Sequence, residues 1–107
     1  MCRLQRVDMS ETEAVDVMCT ENKDAILVCN EILGYFPQVF PGCNGEEITT
    51  IKALDDIGVY GGDIASLYYD TYHGDTRRFL LALNAYCVGR IDKTEFLHPQ
   101  KMKTTIH

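Results

Sequence analysis

Between Ala53 and Gly89 the chain reads ALDDIGVYGGDIASLYYDTYHGDTRRFLLALNAYCVG, with apolar residues returning every three or four positions and glycines cutting the run into pieces. That period predicts the last turns of one helix up to Ile57, a second helix from about Asp63 to His73, and a third from Thr76 to Val88 that stops at Gly89. In the second helix Ile64, Leu67, Tyr68, Thr71 and Tyr72 form the inward face, while Ser66, Tyr69, Asp70 and His73 point away. In the third, Phe79, Leu80, Leu83, Tyr86 and Cys87 make the main apolar stripe, and Leu81, Ala82, Ala85 and Val88 spread it further round. A helix that is apolar on more than one side must be covered on more than one side. It is expected either at the centre of the core or covered by a second copy of the chain, and a homo-oligomer is the expectation.

The same pattern organises the flanks. Ser10 and Glu13 have capping-box spacing, so a helix begins at Glu11 and runs to about Cys19, with Ala14, Val17 and Met18 on its inner face and Val15 at the edge. After a polar break at Thr20 to Asn22, KDAILVCNEILGYF predicts a helix with a broad apolar arc of Ala25, Ile26, Val28, Cys29, Ile32 and Leu33. Gly34 and Pro37 are expected to end it. The segment YFPQVFPGCNG then reads as an apolar loop whose Tyr35, Phe36 and Phe40 plug the core. Asn44 is the expected cap of the next helix, with Glu46 and Glu47 in its first turn, where the helix dipole favours negative charge. The Gly61–Gly62 pair implies a positive φ or a close backbone approach, and Asp63 is the expected cap of the helix that follows. Asp92 and Glu95 form a second capping box, before a short helix from Lys93 to about Leu97 or His98. Residues 1–9 are read as an arm and residues 100–107 as a frayed tail. The sum is an all-α fold: one domain over residues 1–107, built as a compact bundle of five to six short helices.

Composition narrows the function. A formal charge of −6 and a pI near 4.9 argue against nonspecific binding to DNA or anionic membrane, because neutralising phosphates takes surplus Lys and Arg. An acidic chain suits a basic protein surface instead. Five cysteines, Cys2, Cys19, Cys29, Cys43 and Cys87, show no CxxC pair, and reduced, buried thiols in a cytoplasmic protein are the expectation. No apolar run approaches the ~20 residues of a membrane helix.

The chemistry-bearing residues are few. In YHGDTRRF, the N-terminus of a helix together with Arg77 and Arg78 suits a phosphate or carboxylate, with His73, Tyr69 and Thr76 beside it. Against this, Asp75 would occupy the cap itself, and paired arginines in a first turn are often simply solvated. His73 beside Asp70 or Asp75 has the elements of a base and its orienting carboxylate, yet no nucleophile accompanies it, and a histidine at a helix C-terminus is explained by the dipole. Glu46, Glu47, Asp55 and Asp56 sit on one predicted helix, the basis of an alternative reading as a metal-dependent nucleotide hydrolase. The third acidic position of the EExxE pattern is Thr50, so that motif is incomplete. No catalytic residue, metal ligand or cofactor motif is assigned.

The run LDDIGVYGGDIASLYYDTYHGDTRRFLLALNA resembles a pattern in small, uncharacterised accessory proteins of phages and prophages. Leu54, Asp55, Ile57, Tyr60, Gly61, Ile64, Leu67, Tyr68, Asp70, Gly74, Asp75 and Phe79 carry the resemblance. It implies a non-enzymatic binder in the host cytoplasm that blocks a host defence protein or sequesters a small anionic ligand such as a nucleotide, with a structural or assembly role as a further alternative. Asp55, Asp56, Asp63 and Asp70 are the acidic residues expected to meet a host protein, and Arg77, Arg78, His73, Tyr69 and Thr76 those expected to hold the anion.

Overall fold

The computed structural model describes residues 10–43 and 45–99, with Glu11 described by its backbone. The expected arm over residues 1–9, the Asn44 cap and the tail over residues 100–107 lie outside the described residues. Helix α1 is Glu11–Cys19, α2 Lys23–Val39, α3 Glu47–Asp56, α4 Gly62–Ser66, α5 Thr76–Cys87 and α6 Lys93–Leu97, with a π-helical turn over Leu67–Thr71 continuing α4. The fold is all-α, a bundle of six helices among the described residues.

Both capping boxes form. Ser10 Oγ accepts from the Glu13 amide at 3.1 Å while Glu13 Oε1 accepts from the Ser10 amide at 3.0 Å. At α6 the Asp92 carboxylate accepts from the Glu95 amide at 2.8 Å, and Glu95 returns the bond at 3.3 Å. Asn22 caps α2 by accepting from the Ala25 amide at 2.9 Å, and Asp75 caps α5 by accepting from the Arg78 amide at 3.1 Å. Each satisfies an amide that the helix itself cannot, a contribution of about 1 kcal/mol.

Helix α2 corrects the expected stop at Gly34 and Pro37: it runs to Val39 with Pro37 inside it. Proline in this last turn forgoes one hydrogen bond to Leu33, and the helix still closes through the Phe40 amide on the Phe36 carbonyl at 2.9 Å. Phe36 is buried, worth about 2 kcal/mol, and the continuation brings the half-buried Phe40 against it in a tilted pair with ring centroids 5.1 Å apart. Tyr35 and Phe36, which the expected helix and the expected loop shared, are helical, with Tyr35 half-buried. Helix α1 departs in one residue: Val17, expected inside, is 48% exposed.

The expected helix from Asp63 to His73 is two geometries in sequence. Gly61, not Asp63, stands at the cap, at φ 51°, and Asp63 falls in the first turn. A Cβ on Gly61 would lie 2.7 Å from Thr20 Oγ1, and its amide donates to the Met18 carbonyl at 2.8 Å. Both readings of the glycine pair, positive φ and close approach, thus meet at Gly61, which pins the end of α1 to the link between α3 and α4. Beyond Ser66 the backbone widens, so that the Tyr72 amide reaches Leu67 at 3.1 Å, five residues back. The turn buries Leu67, Tyr68 and Tyr72 together and leaves Tyr69 and Asp70 outside.

Those tyrosines feed an aromatic cluster centred on Phe79, which is fully buried in α5. Tyr72 meets Phe79 edge-on at 5.2 Å, Tyr68 does so at 5.6 Å, and Phe96 of α6 lies 5.8 Å away. Such contacts add about 1 kcal/mol each beyond the area they bury. The Tyr72 hydroxyl, buried with its ring, donates to the Phe96 carbonyl at 2.6 Å and so bolts α6 to the π-turn. Helix α5 packs against α2, α3 and α6, the intrachain cover its broad apolar stripe requires. Leu81 is the large α5 side chain left exposed.

Cys19 and Cys29 are free and fully buried, with Sγ atoms 3.4 Å apart across the α1–α2 contact, and Cys87 is free and half-buried. Cys43 is disulfide-bonded, which corrects the expectation of reduced cysteines and removes part of its argument for a cytoplasmic location.

Tyr72→Phe leaves the ring in place but takes the donor from the Phe96 carbonyl, and should lower unfolding free energy by about 1–3 kcal/mol in urea denaturation; wild-type stability would contradict the bolt. Burial raises the Cys19 and Cys29 thiols, pushes Cys87 up to about 11 and Tyr72 up to about 12. The folded chain therefore keeps protons that the unfolded chain has lost. This contribution is whole below the ordinary thiol value of about 8.5 and falls as pH climbs toward the raised values. Stability measured between about pH 8 and pH 10.5 should decline, and a flat profile would contradict burial of these groups.

Candidate functional site

The π-turn and α5 present the residues expected to bind an anion. The helix leaves the π-turn through two left-handed residues, His73 at φ 57° and Gly74 at φ 73°, with the Gly74 amide donating to the Tyr68 carbonyl at 2.9 Å. Asp75 follows at once as the α5 cap. This corner sets His73 and Arg77 on the surface and leaves Arg78 half-buried, close enough to Tyr72 for its charge to act on the phenol. Tyr69 is 51% exposed, packs edge-on against Tyr68 at 5.0 Å and lies beside Gly74. The Thr76 hydroxyl is hydrogen-bonded to the Tyr68 hydroxyl, so Thr76 braces the core rather than facing solvent alone.

Arg77, Arg78 and His73 make no ion pair with a described carboxylate. The helix terminus itself is less open. The Asp75 carboxylate sits where an anion would sit and already takes the Arg78 amide. The corner therefore offers cations beside a helix terminus that its own cap already fills.

The acidic candidates are dispersed. Asp55 accepts from Lys52 Nζ at 2.8 Å and from the Tyr60 hydroxyl, and these bonds, Lys52 first, hold its carboxyl below the usual range. Asp70 accepts from Ser66 Oγ at 3.1 Å. Asp56 borders a hollow of about 400 Å³ between α3 and α5, lined also by Ala53, Tyr86, Cys87 and Ile91. Asp63 is exposed in the first turn of α4. The structure ties Asp55 and Asp70 into local bonds and shows no contact joining the four.

The carboxylates of the hydrolase alternative stand apart as well. Glu46 is 7% exposed, and Glu47 accepts from the Gly45 amide at 2.7 Å. Thr50 is buried, its hydroxyl donating to the Glu46 carbonyl at 2.9 Å. Nine residues of helical rise separate Glu46 from Asp55, about 13 Å, far beyond the span of one cation. Among the described residues no three His, Cys, Asp or Glu side chains converge.

Reading the sequence missed a groove between α1 and α2. Val15, Asp16 and Ile26 line two adjoining hollows, one of about 200 Å³ toward Thr12, Asn30 and Leu33, the other of about 540 Å³ toward Cys19, Thr20 and Glu21. The signal was present in the breadth of the α2 arc, since Ile26 and Leu33 lie to one side of the buried row Ala25, Val28, Cys29, Ile32 and Phe36. Charge points the same way. Residues 11–39 hold six acidic residues, Glu11, Glu13, Asp16, Glu21, Asp24 and Glu31, against the single basic Lys23, a local charge of −5 in a chain of −6. The one ion pair between described residues, Lys52–Asp55, lies outside this region. No helix among the described residues is long and apolar enough to cross a membrane. No known protein family, curated protein or solved structure matches the chain.

Proposed function

We propose that the chain is a non-enzymatic binding protein whose acidic helical surface engages a basic protein partner. The observation that carries this reading is the imbalance of charge at the surface: exposed carboxylates on α1, α2 and α4 face water without a cationic partner among the described residues. Carboxylates left unpaired on a rigid scaffold accelerate encounter with a basic surface and set its orientation, at little cost in folding. The resemblance to phage accessory proteins makes a host protein, such as a defence factor, the partner of first interest. Three free thiols favour the cytoplasm of the host as its location, with the Cys43 disulfide weighing against it. Self-association through the exposed Leu81 of α5 is compatible with this role.

A second reading, capture of a small anion such as a nucleotide, rests on Arg77, Arg78 and His73, none of which has a carboxylate partner among the described residues.

Selection from a random display library of helix-length peptides, about 15 residues each, tests the first reading. Lys- and Arg-rich sequences should emerge, and their affinity should fall roughly tenfold between about 0.05 and 0.3 M salt. Neutral or acidic winners, or salt-insensitive binding, would overturn it. For the second reading, Arg77→Ala combined with Arg78→Ala should abolish nucleotide binding in calorimetry while circular dichroism stays unchanged. Undiminished affinity in that variant would dispose of an anion site at this corner.

A further inference from the structure

We infer that the groove between α1 and α2 is the docking site for a basic amphipathic segment of a partner protein, with apolar side chains on Val15 and Ile26 and cations at Asp16 and Glu21. This rests on the acidic-surface reading and gives it an address.

The two hollows share Val15, Asp16 and Ile26 and so lie side by side along the α1–α2 contact. From Ile26 to Leu33 the floor spans two helical turns, about 10 Å, the distance over which an amphipathic helix presents apolar side chains at successive turns. The larger hollow, about 540 Å³, has room for a long or aromatic anchor. Val15, Ile26 and Leu33 are only partly covered by the rest of the chain. They form the apolar part of a site whose polar edge is Asp16 and Glu21, both exposed, with Thr12 and Asn30 beyond. No lysine or arginine lines either hollow. The charge that complements this trough is positive, which selects a basic occupant over an acidic or neutral one.

The wide end is also held in shape before anything binds. Thr20 and Glu21 take left-handed conformations at φ 47° and 65°, uncommon for residues with a side chain. Gly61 presses against Thr20 from behind, and the Thr20 hydroxyl donates to the Cys19 carbonyl at 2.7 Å. A fixed rim removes part of the ordering cost that a flexible one would add to association.

The test uses the full chain and a Lys/Arg-rich peptide from the display selection, followed by fluorescence anisotropy. Asp16→Asn with Glu21→Gln should weaken binding at least tenfold and flatten its salt dependence, and Ile26→Glu should weaken it comparably with helical content intact. Leu27→Glu, at an exposed position that lines neither hollow, should leave binding unchanged. If the Asp16/Glu21 variant binds like wild type while Asp56→Asn with Asp70→Asn loses affinity, the groove is overturned and the acidic-surface reading stands. If no basic peptide is selected at all, both fall together. A dimer in light scattering that Ile26→Glu dissolves would assign the groove to a second copy of the chain and overturn the partner.

Discussion

The hydrogen bond from the Tyr72 hydroxyl to the Phe96 carbonyl, buried among Tyr72, Phe79 and Phe96, is the constraint on which the rest of this small fold depends. A helix as short as α6, five residues, has no independent stability, and it exists because Phe96 fills the space between Tyr72 and α5. The π-turn exists for the same reason. Its extra width carries Tyr68 and Tyr72 onto Phe79 together, and the left-handed exit at His73 and Gly74 then turns the chain back to start α5. Sequence, backbone geometry and packing meet at this one place.

This arrangement sets α5 against α2, and a further part of α2 is left for α1 to cover. Helix α1 is nine residues long and touches α2 and α3, so it covers only part of the broad apolar arc of α2. Val15, Ile26 and Leu33 are left partly open, within a stretch of sequence, residues 11–39, in which acid outnumbers base by six to one. The trough therefore arises from the mismatch between a wide apolar face and a short covering helix. Its acidic edge is what gives that mismatch a chemical preference.

Local signals were legible in the sequence wherever neighbouring residues decide the outcome. The capping boxes at Ser10/Glu13 and Asp92/Glu95, the Asp75 cap and the inward set Phe79, Leu80 and Leu83 all follow from spacing alone. Reading failed where a distant contact outweighed a local preference. Pro37 should stop α2, but the helix runs through it and sets Val39 and Phe40 against the core. Asp63 should cap α4, but Gly61 has to fit against Thr20 and takes the cap. The groove failed for a related reason: Asp16 and Ile26 are ten residues apart in the chain, and only the crossing of α1 over α2 makes them neighbours.

The central claim is that the acidic α1–α2 face is the working surface of the molecule, and carbodiimide-driven labelling of carboxylates tests it most directly. The protein would be labelled once as the purified chain and once in an extract of the cells in which it acts, with each modified carboxylate located by mass spectrometry. The account predicts that Asp16 and Glu21 label readily in the purified chain and are protected in the extract, while Asp92 at the opposite end of the chain labels equally in both. Equal labelling of Asp16 and Glu21 in the two samples, or protection confined to Asp56, Asp63 and Asp70, would contradict it.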